Sequence, residues 1–377
     1  MGSKLSKGIV HHFAELKDPR IDRTKRHLLI DIVVIGICAV ICGADDWVAM
    51  AKFGKAKQKW LSQFLALANG IPSHDTFARV FARLDPEGFQ RCFLDWIETI
   101  RQRTHGEIIA IDGKTLRHSY DRSGNKGAIH MVSAWATANR LVLGQRKVDD
   151  KSNEITAIPE LLRVLAVAGC IVTIDAMGCQ KEIAEKIIEK QGDYVLALKG
   201  NQGTLLEDVK YYFTEAQKTQ FQGVPYGFYE TVDGDHGRIE TRRYYTITAL
   251  NGLRHRTDWK GWDMIGMVEA TRELSGQISQ ETRYYIGSIG GDAELFAHAV
   301  RGHWGVENGL HWVLDIAFRE DDSRVRKGHA PQNLAVLRHI ALNLLKQEKT
   351  AKIGIKNKRL QAGWDEAYLF QVLFGRN

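Results

Sequence analysis

Asp112 closes the apolar run Ile108-Ile109-Ala110-Ile111, and Asp175 closes Ile171-Val172-Thr173-Ile174. One buried strand ending on an acid is a weak signal, because acids cap turns and helices throughout α/β folds. Two such strands expected side by side say more. A third acid, Glu307, recurs with His303, His311 and Asp315 at every fourth residue, so the four climb one helix face with about 40° of drift per step. Val306, Leu310, Val313 and Ala317 make the apolar stripe beside them, which should pack this helix on the sheet and let Glu307 reach the strand ends. Three carboxylates around one point repel each other and lose hydration, so they persist there with a cation to neutralise them. Hard oxygen ligands with open positions suit Mg²⁺ or Mn²⁺. The chemistry implied is two-metal phosphodiester cleavage, with ions about 3.5–4 Å apart serving the attacking and leaving oxygens. On pattern alone the alternative stands beside it, with Asp112 and Asp175 as turn acids and Glu307 as a surface acid paired to His303 or His311.

The elements that must position these acids fall into two textures. From about Lys4 to Arg103 apolar residues recur at spacings of three and four, as in Leu29, Val33, Ile37 and in Trp60, Phe64, Leu67, which predicts an all-α N-terminal domain over 1–104. Ser73-His74-Asp75-Thr76 and Asp85-Pro86-Glu87 supply helix starts. Such pairs permit helix-turn-helix geometry, but no basic recognition helix stands out. At Glu107 the texture turns to strands: the run ending on Asp112, then Met131 to Thr137 and Leu141 to Val148 as an antiparallel meander. A helix from Glu154 to Val167, the strand ending on Asp175, a Lys- and Glu-rich helix to Lys190 and a strand from Tyr194 to Leu198 follow. That order is an RNase H-like mixed α/β sheet, in which the first and fourth strands are neighbours. Asp149 and Asp150 add acids before the first of these helices, and Glu154 reads as its start rather than as a ligand. A β-rich insertion covers about 225–290, a long helix spans Ala293 to Phe318, and Pro331 opens another to about Lys346. The catalytic domain should therefore run over 105–377.

Composition sets the outer bounds. A chain of 377 residues with 44% hydrophobic and 26% charged residues is globular, which excludes disorder, collagen and coiled coil. Its net charge of +7 suits a polyanionic partner without demanding one. Five cysteines without a C-x-x-C pair point to a reducing compartment. The longest apolar run, Ile32 to Cys42, is well short of the roughly 20 residues a membrane span needs, so a buried helix is expected. With no signal-like N-terminus, the expected location is cytoplasmic, nucleoid-associated if the chain binds DNA. A basic surplus collects in a tail over about 346–377, at Lys346, Lys349, Lys352, Lys356, Lys358 and Arg359. It is either a solvated helix end or a phosphate-contacting arm. No phosphate loop, H-E-x-x-H, G-x-S-x-G or strand-anchored G-x-G-x-x-G occurs, which removes support from ATP-driven, zinc-protease, esterase and dinucleotide chemistry.

Ile111-Asp112-Gly113-Lys114, Val172-Thr173-Ile174-Asp175-Ala176, Leu198-Lys199-Gly200-Asn201-Gln202, His236-Gly237-Arg238-Ile239-Glu240 and His303-Trp304-Gly305-Val306-Glu307-Asn308 occur in that order. Together they resemble the DDE transposases of bacterial insertion sequences, nearest to the H-repeat-associated group, over almost the whole chain. The resemblance implies an RNase H-like core with a β-strand insertion before the last acid and a small helical domain in front. It implies Asp112, Asp175 and Glu307 as the three catalytic, metal-binding acids, with Mg²⁺ as cofactor and Mn²⁺ as a substitute. The implied activity is cutting double-stranded DNA at the element's ends and joining the freed 3′-hydroxyl to target DNA, as a dimer on DNA.

In related transposases the third acid stands in a signature with Tyr and Arg before it and Lys seven residues after it. Val300, His303 and Leu314 occupy those places here, so His303, Arg301 or Lys199 are the candidates for that supporting work. Arg238 and Arg242 share one strand face as candidate phosphate contacts while Arg243 points away. Lys114 either holds a phosphate or salt-bridges a carboxylate. Trp304 and Trp312 either stack on an extruded base or belong to the core. Asp321 and Asp322 are expected in solvent or at a phosphate-bound ion. A metal-dependent nuclease on the same fold and a domesticated, non-catalytic DNA-binding protein are the competing functions.

Overall fold

The computed structural model describes residues 9–102, 104–120, 127–148, 153–235 and 237–375. Asp149, Asp150 and His236, together with the start of the helical pattern at Lys4, lie outside the described residues. The first hundred residues form helices α1 (Ile9–His12), α2 (Leu29–Ile41), α3 (Trp47–Ala56), α4 (Gln58–Leu61), α5 (His74–Arg83) and α6 (Pro86–Ile100). Two of the starts are capped as the sequence predicts: the Ser73 hydroxyl accepts from the Thr76 N–H, and the Asp85 carboxylate accepts from Glu87 and Gly88. The long apolar run is α2, buried at nearly every position, as a helix apolar all round must be. Among the described residues no helix is long and apolar enough to cross a membrane.

Nine strands form one sheet in the order β3-β2-β1-β4-β5-β9-β8-β7-β6. β1 (Ile108–Leu116), β2 (Ile129–Ala136) and β3 (Leu141–Lys147) are the antiparallel meander, and β4 (Ile171–Ile174) and β5 (Asp193–Leu198) continue parallel to β1. This five-strand order is RNase H-like. The insertion consists of β6 (Tyr226–Asp235), β7 (Arg238–Ile247), β8 (Met264–Leu274) and β9 (Gln277–Gly287). It extends the same sheet, because β9 pairs antiparallel with β5 from Val195↔Gly287 to Leu198↔Tyr284.

Helices α7 (Glu154–Val164), α8 (Lys181–Glu189), α9 (Gly203–Lys218), α10 (Ala293–Val306), α11 (Trp312–Phe318), α12 (Ala330–Gln347), α13 (Ile355–Trp364) and α14 (Glu366–Phe374) complete the fold. The central one is α12. It is buried along most of its length and packs on α2, α5 and α6 on one side and on β3 on another. The N-terminal helices therefore share one continuous hydrophobic core with the sheet. The change of texture near residue 104 marks a change of secondary structure, not a gap between cores.

Two expectations about local structure need correcting. β1 does not stop at Asp112 but runs on to Leu116, paired there with β2 alone, because its parallel pairing with β4 ends at Ile111↔Ile174. The long helix from Ala293 to Phe318 is interrupted by a π turn, Glu307–His311, between α10 and α11. Single π turns inside α-helices are rare and gather at functional sites.

Candidate active site

Asp112 and Asp175 each follow the last residue of the Ile111↔Ile174 pair, so the register sets the two acids side by side at the end of the parallel strands. The chain turns directly after β4, and one Asp175 oxygen accepts the N–H groups of Met177 at 3.0 Å and Gly178 at 3.3 Å. That bond makes Asp175 a turn acid as well, a dual use that an Asp at a strand end permits. Glu307 arrives on the π turn. Its helix, α10, lies against β1 and β4, and a side chain at Gly302 would meet Ile108 at 2.9 Å, so glycine is what allows the approach. A methyl at Gly309 would likewise meet the Trp135 ring at 2.9 Å. His303 ties the same helix to β4, its Nδ1 lying 3.2 Å from the Thr173 hydroxyl. The three acids line one cleft of about 650 Å³, together with Lys199, Lys210, Arg283, His303 and Trp304.

The electrostatics of the cleft are those of crowded carboxylates. Burial, followed by the charges of Asp175, Glu154 and Glu307, pushes the Asp112 carboxyl up to about 7. Glu154 is the first residue of α7, as expected, yet it also contributes a fourth negative charge, and its Oε1 lies 2.6 Å from His130 Nε2. A Cβ at Gly113 would fall 2.2 Å from that carboxylate oxygen, which explains the glycine next to the first acid. The donor set fits a hard divalent cation: oxygen ligands, clustered negative charge and a first acid whose proton is held more tightly by burial and by the acids around it. Among the described residues no three His, Cys, Asp or Glu groups are already drawn in to the spacing of one ion's coordination sphere.

The predicted cations divide. Lys114 is caged by Asp315 at 2.6 Å, Asp321 at 2.9 Å and Glu320 at 3.6 Å. Burial disfavours its charge, but the Glu320, Asp315 and Asp321 carboxylates outweigh that and hold its pKa above the ordinary lysine value. In this structure Lys114 is salt-bridged to carboxylates, the second of the two readings, and Asp321 is a partner of lysine and not a solvated acid. Asp322 is exposed and pairs with Arg319. Arg238 and Arg242 do share a face, but both bind Glu240, and Arg242 also binds Asp233 at 2.7 Å. Arg301 stands 3.6 Å from the same Asp233, and Arg243 points away to Glu230. Lys199 is exposed at the rim of the cleft.

Two cleft cations escaped sequence reading. Lys210 sits on α9, a helix whose polar outer face gave no strong periodic signal, and Arg283 lies on β9. The Arg283 guanidinium stacks 4.9 Å from the centre of the Trp304 ring while forking Glu281. Trp304 is accordingly a wall of the cleft, whereas Trp312 is 61% exposed, so neither is a core residue.

The tail is neither a loose arm nor a uniformly solvated end. Lys358 is buried and donates to the Leu345 carbonyl at 3.0 Å; Arg359 is buried and donates to the Val40 carbonyl at 2.8 Å. Lys346 packs on the Trp135 ring at 4.7 Å, and burial, then Arg140, Lys349 and Lys358, push its pKa down to about 8. Only Lys349, Lys352 and Lys356 of that set are exposed.

The DDE_Tnp_1-associated model matches residues 10–97, and the Transposase DDE domain model matches residues 103–344. The chain is 42% identical over 376 residues to the "H repeat-associated putative transposase YhhI" of Escherichia coli K12, covering 98% of each chain. It is 48% identical over 280 residues to the "Uncharacterized protein in dhlA 3'region" of Xanthobacter autotrophicus, covering 73% of this chain and 92% of that one. Among solved structures, a piggyBac transposase synaptic complex with hairpin DNA aligns with 98% of this chain and 77% of its own, with TM-score 0.41 and 12% identity. With a domain match across the whole sheet and all three acids, the chain belongs to the DDE-domain transposase family.

Proposed function

We propose that this protein is a DNA transposase that binds the ends of its own insertion sequence, cuts the DNA there by metal-dependent hydrolysis and transfers the freed 3′-hydroxyl to target DNA. The observation that carries the reading is the convergence of Asp112, Asp175 and Glu307 on one cleft, within the matched domain, with Asp112 pushed up to about 7 by burial and its acidic neighbours. Asp112, Asp175 and Glu307 would hold Mg²⁺, or Mn²⁺ in its place. Bound there, divalent ions would supply activation of the attacking oxygen and neutralisation of the leaving one.

The chain's own groups do the rest. Asp175 keeps one oxygen on its turn and presents the other. His303 fixes the height of α10, and therefore of Glu307, against β4. Lys199, Lys210 and Arg283 line the same cleft as the acids and would supply the positive charge that holds a phosphodiester strand in reach. Arg238, Arg242 and Arg301 form a second basic face on the insertion and α10, where DNA phosphates would compete with Asp233 and Glu240 for their guanidinium groups. The protein would work on the nucleoid in the cytoplasm, as a dimer bridging two ends.

The test is Mg²⁺- or Mn²⁺-dependent cleavage and joining of a duplex carrying the gene's own flanking ends. Joined product from the wild type, and none from Glu307→Gln, supports the reading. Cleavage without joining would assign a nuclease. Metal-independent binding with no cleavage would leave a domesticated DNA-binding protein.

A further inference from the structure

A row of polar side chains runs inward from the first acid. In the register of the meander, Asp112 on β1 stands opposite Ser133 on β2, and Ser133 opposite Gln145 on β3. Directly opposed residues of antiparallel strands present their side chains on the same face. Ser133 is 4% and Gln145 0% exposed, on a sheet face whose neighbours Leu116 and Met131 pack against Ala335 of α12. Nothing in the catalytic scheme above uses Gln145, or His339, which is buried on α12.

These groups line a small void of about 10 Å³, bounded by Gln145, Ser133, His311, His339, Lys114 and Glu320 among others. Both amide atoms of Gln145, the Nε2 of His311 and the Nδ1 of His339 are buried with no hydrogen-bond partner. Half of the buried unpartnered side-chain polar atoms among the described residues thus belong to the lining of one small space. Buried polar groups almost always find a partner, protein or water. A void of about 10–15 Å³ with two to four polar neighbours is what one ordered water needs.

Hydrogen-bond accounting then says which atoms that water would meet. Each imidazole offers two ring nitrogens, and one on each of His311 and His339 is buried with no partner while both rings line the void. The Nδ1 of His311 lies 3.5 Å from Oδ2 of Asp112. The other ring nitrogen, Nε2, is buried without a partner among the lining of the void. A water in the void would bridge His311 Nε2, His339 Nδ1 and the facing atom of the Gln145 amide. We infer that the void is a built water site, and that its water, held by Gln145 and His339, orients the His311 ring that steers the Asp112 carboxylate. Gln145, His311 and His339 are then positioning residues for the first acid. The π turn contributes to the same end, since it carries Glu307 and His311 at its two limits. The water site stands on the packing alone; its consequence for metal binding rests on the transposase reading.

The experiment takes the full chain as wild type, Gln145→Leu and the amide-keeping Gln145→Asn. It reads a crystal structure fine enough to show ordered water, the Mn²⁺ dissociation constant and the DNA dissociation constant. The expected results are water density within hydrogen-bond reach of His311 Nε2 and His339 Nδ1 in the wild type and its loss in Gln145→Leu. Mn²⁺ binding in that variant weakens about tenfold, the usual cost of losing an outer-shell partner, with DNA affinity unchanged and with recovery in Gln145→Asn. A dry void in the wild type, or unaltered Mn²⁺ affinity in folded Gln145→Leu, overturns the inference. Should Gln145→Leu not fold, His339→Leu carries the same readouts. A wild type that binds Mn²⁺ through Asp112 yet neither cuts nor joins DNA would sink the transposase reading while leaving the water site to be judged on its own density.

Discussion

Two groups of cations look alike as letters and differ in everything else. In the C-terminal segment Lys358 and Arg359 are buried, their donors satisfied by the Leu345 and Val40 carbonyls, and the Arg359 guanidinium lies over the Phe318 ring at 4.2 Å. In the cleft Lys199 stands exposed, and Lys210 and Arg283 line the same opening as the three acids. The first group holds helices together; the second lies along the open cleft, with Lys210 paired to Glu207 and Arg283 to Glu281 and Lys199 exposed, where under the transposase reading it would meet the DNA. A basic surplus in a sequence is therefore informative about DNA only after burial has removed the residues whose charge is already matched inside.

The comparison can be broken at both ends. The largest effect belongs to the acids that line the cleft with these cations: Asp112→Asn or Glu307→Gln should lower end joining by about a thousandfold or more, since each removes charge that holds the ions. Gel-resolved single-turnover joining checks this, and near-wild-type rates would remove both residues from the mechanism. Next comes the buried side. Arg359→Ala removes the guanidinium donor from the Val40 and Ala317 carbonyls and from Asp45 and leaves a cavity beside Phe318, which should cost about 3–5 kcal/mol of stability in denaturant titration. A loss below about 1 kcal/mol would return the tail to the surface.

A pH effect of intermediate size follows from Asp112. Its folded carboxyl is raised to about 7, against about 3.9 in an unfolded chain. Between those values the native state holds more protons than the unfolded one, so the metal-free protein should lose stability as pH rises from about 4 to about 7 and level off above. Asp112→Asn lacks this loss. It should match the wild type near pH 4 and exceed it by about 2–4 kcal/mol at pH 8, a gap that added Mn²⁺ closes by stabilising the wild type alone. Equal stability of the two proteins at pH 8 would show that the acids are not crowded. The smallest effect is at the rim, where Lys199→Ala should leave the melting temperature unchanged, weaken DNA binding a few-fold and reduce the salt slope by about 1. An unchanged salt slope would separate Lys199 from the phosphates.

Much of this was legible because strand ends and acids leave a plain mark. The runs ending on Asp112 and Asp175 pair as expected, and the meander, the parallel strands and the insertion follow in the expected order. What escaped was set by tertiary contacts. Gly113-Lys114-Thr115 does not read as a strand, yet pairing with β2 carries β1 through it. A four-residue spacing from His303 to Asp315 assumes regular helix, and the close seat of Gly309 on Trp135 accompanies a π turn that no periodicity announces. The role of Lys114 hung on Asp315, Asp321 and Glu320, some two hundred residues later in the chain. Gln145 gave no signal, because a glutamine in a strand reads as an outward-facing residue until the helix over it is known.

The central claim is that Asp112, Asp175 and Glu307 jointly hold the ions that act on DNA. The most direct measurement is anomalous diffraction from crystals of the wild-type chain with Mn²⁺ and a duplex of its flanking end. The account predicts Mn²⁺ peaks among these carboxylates, with carboxylate oxygens in each ion's coordination shell and the DNA strand between them and Lys199, Lys210 and Arg283. Ions bound elsewhere, or a cleft that takes DNA with no ion between the acids, would contradict it.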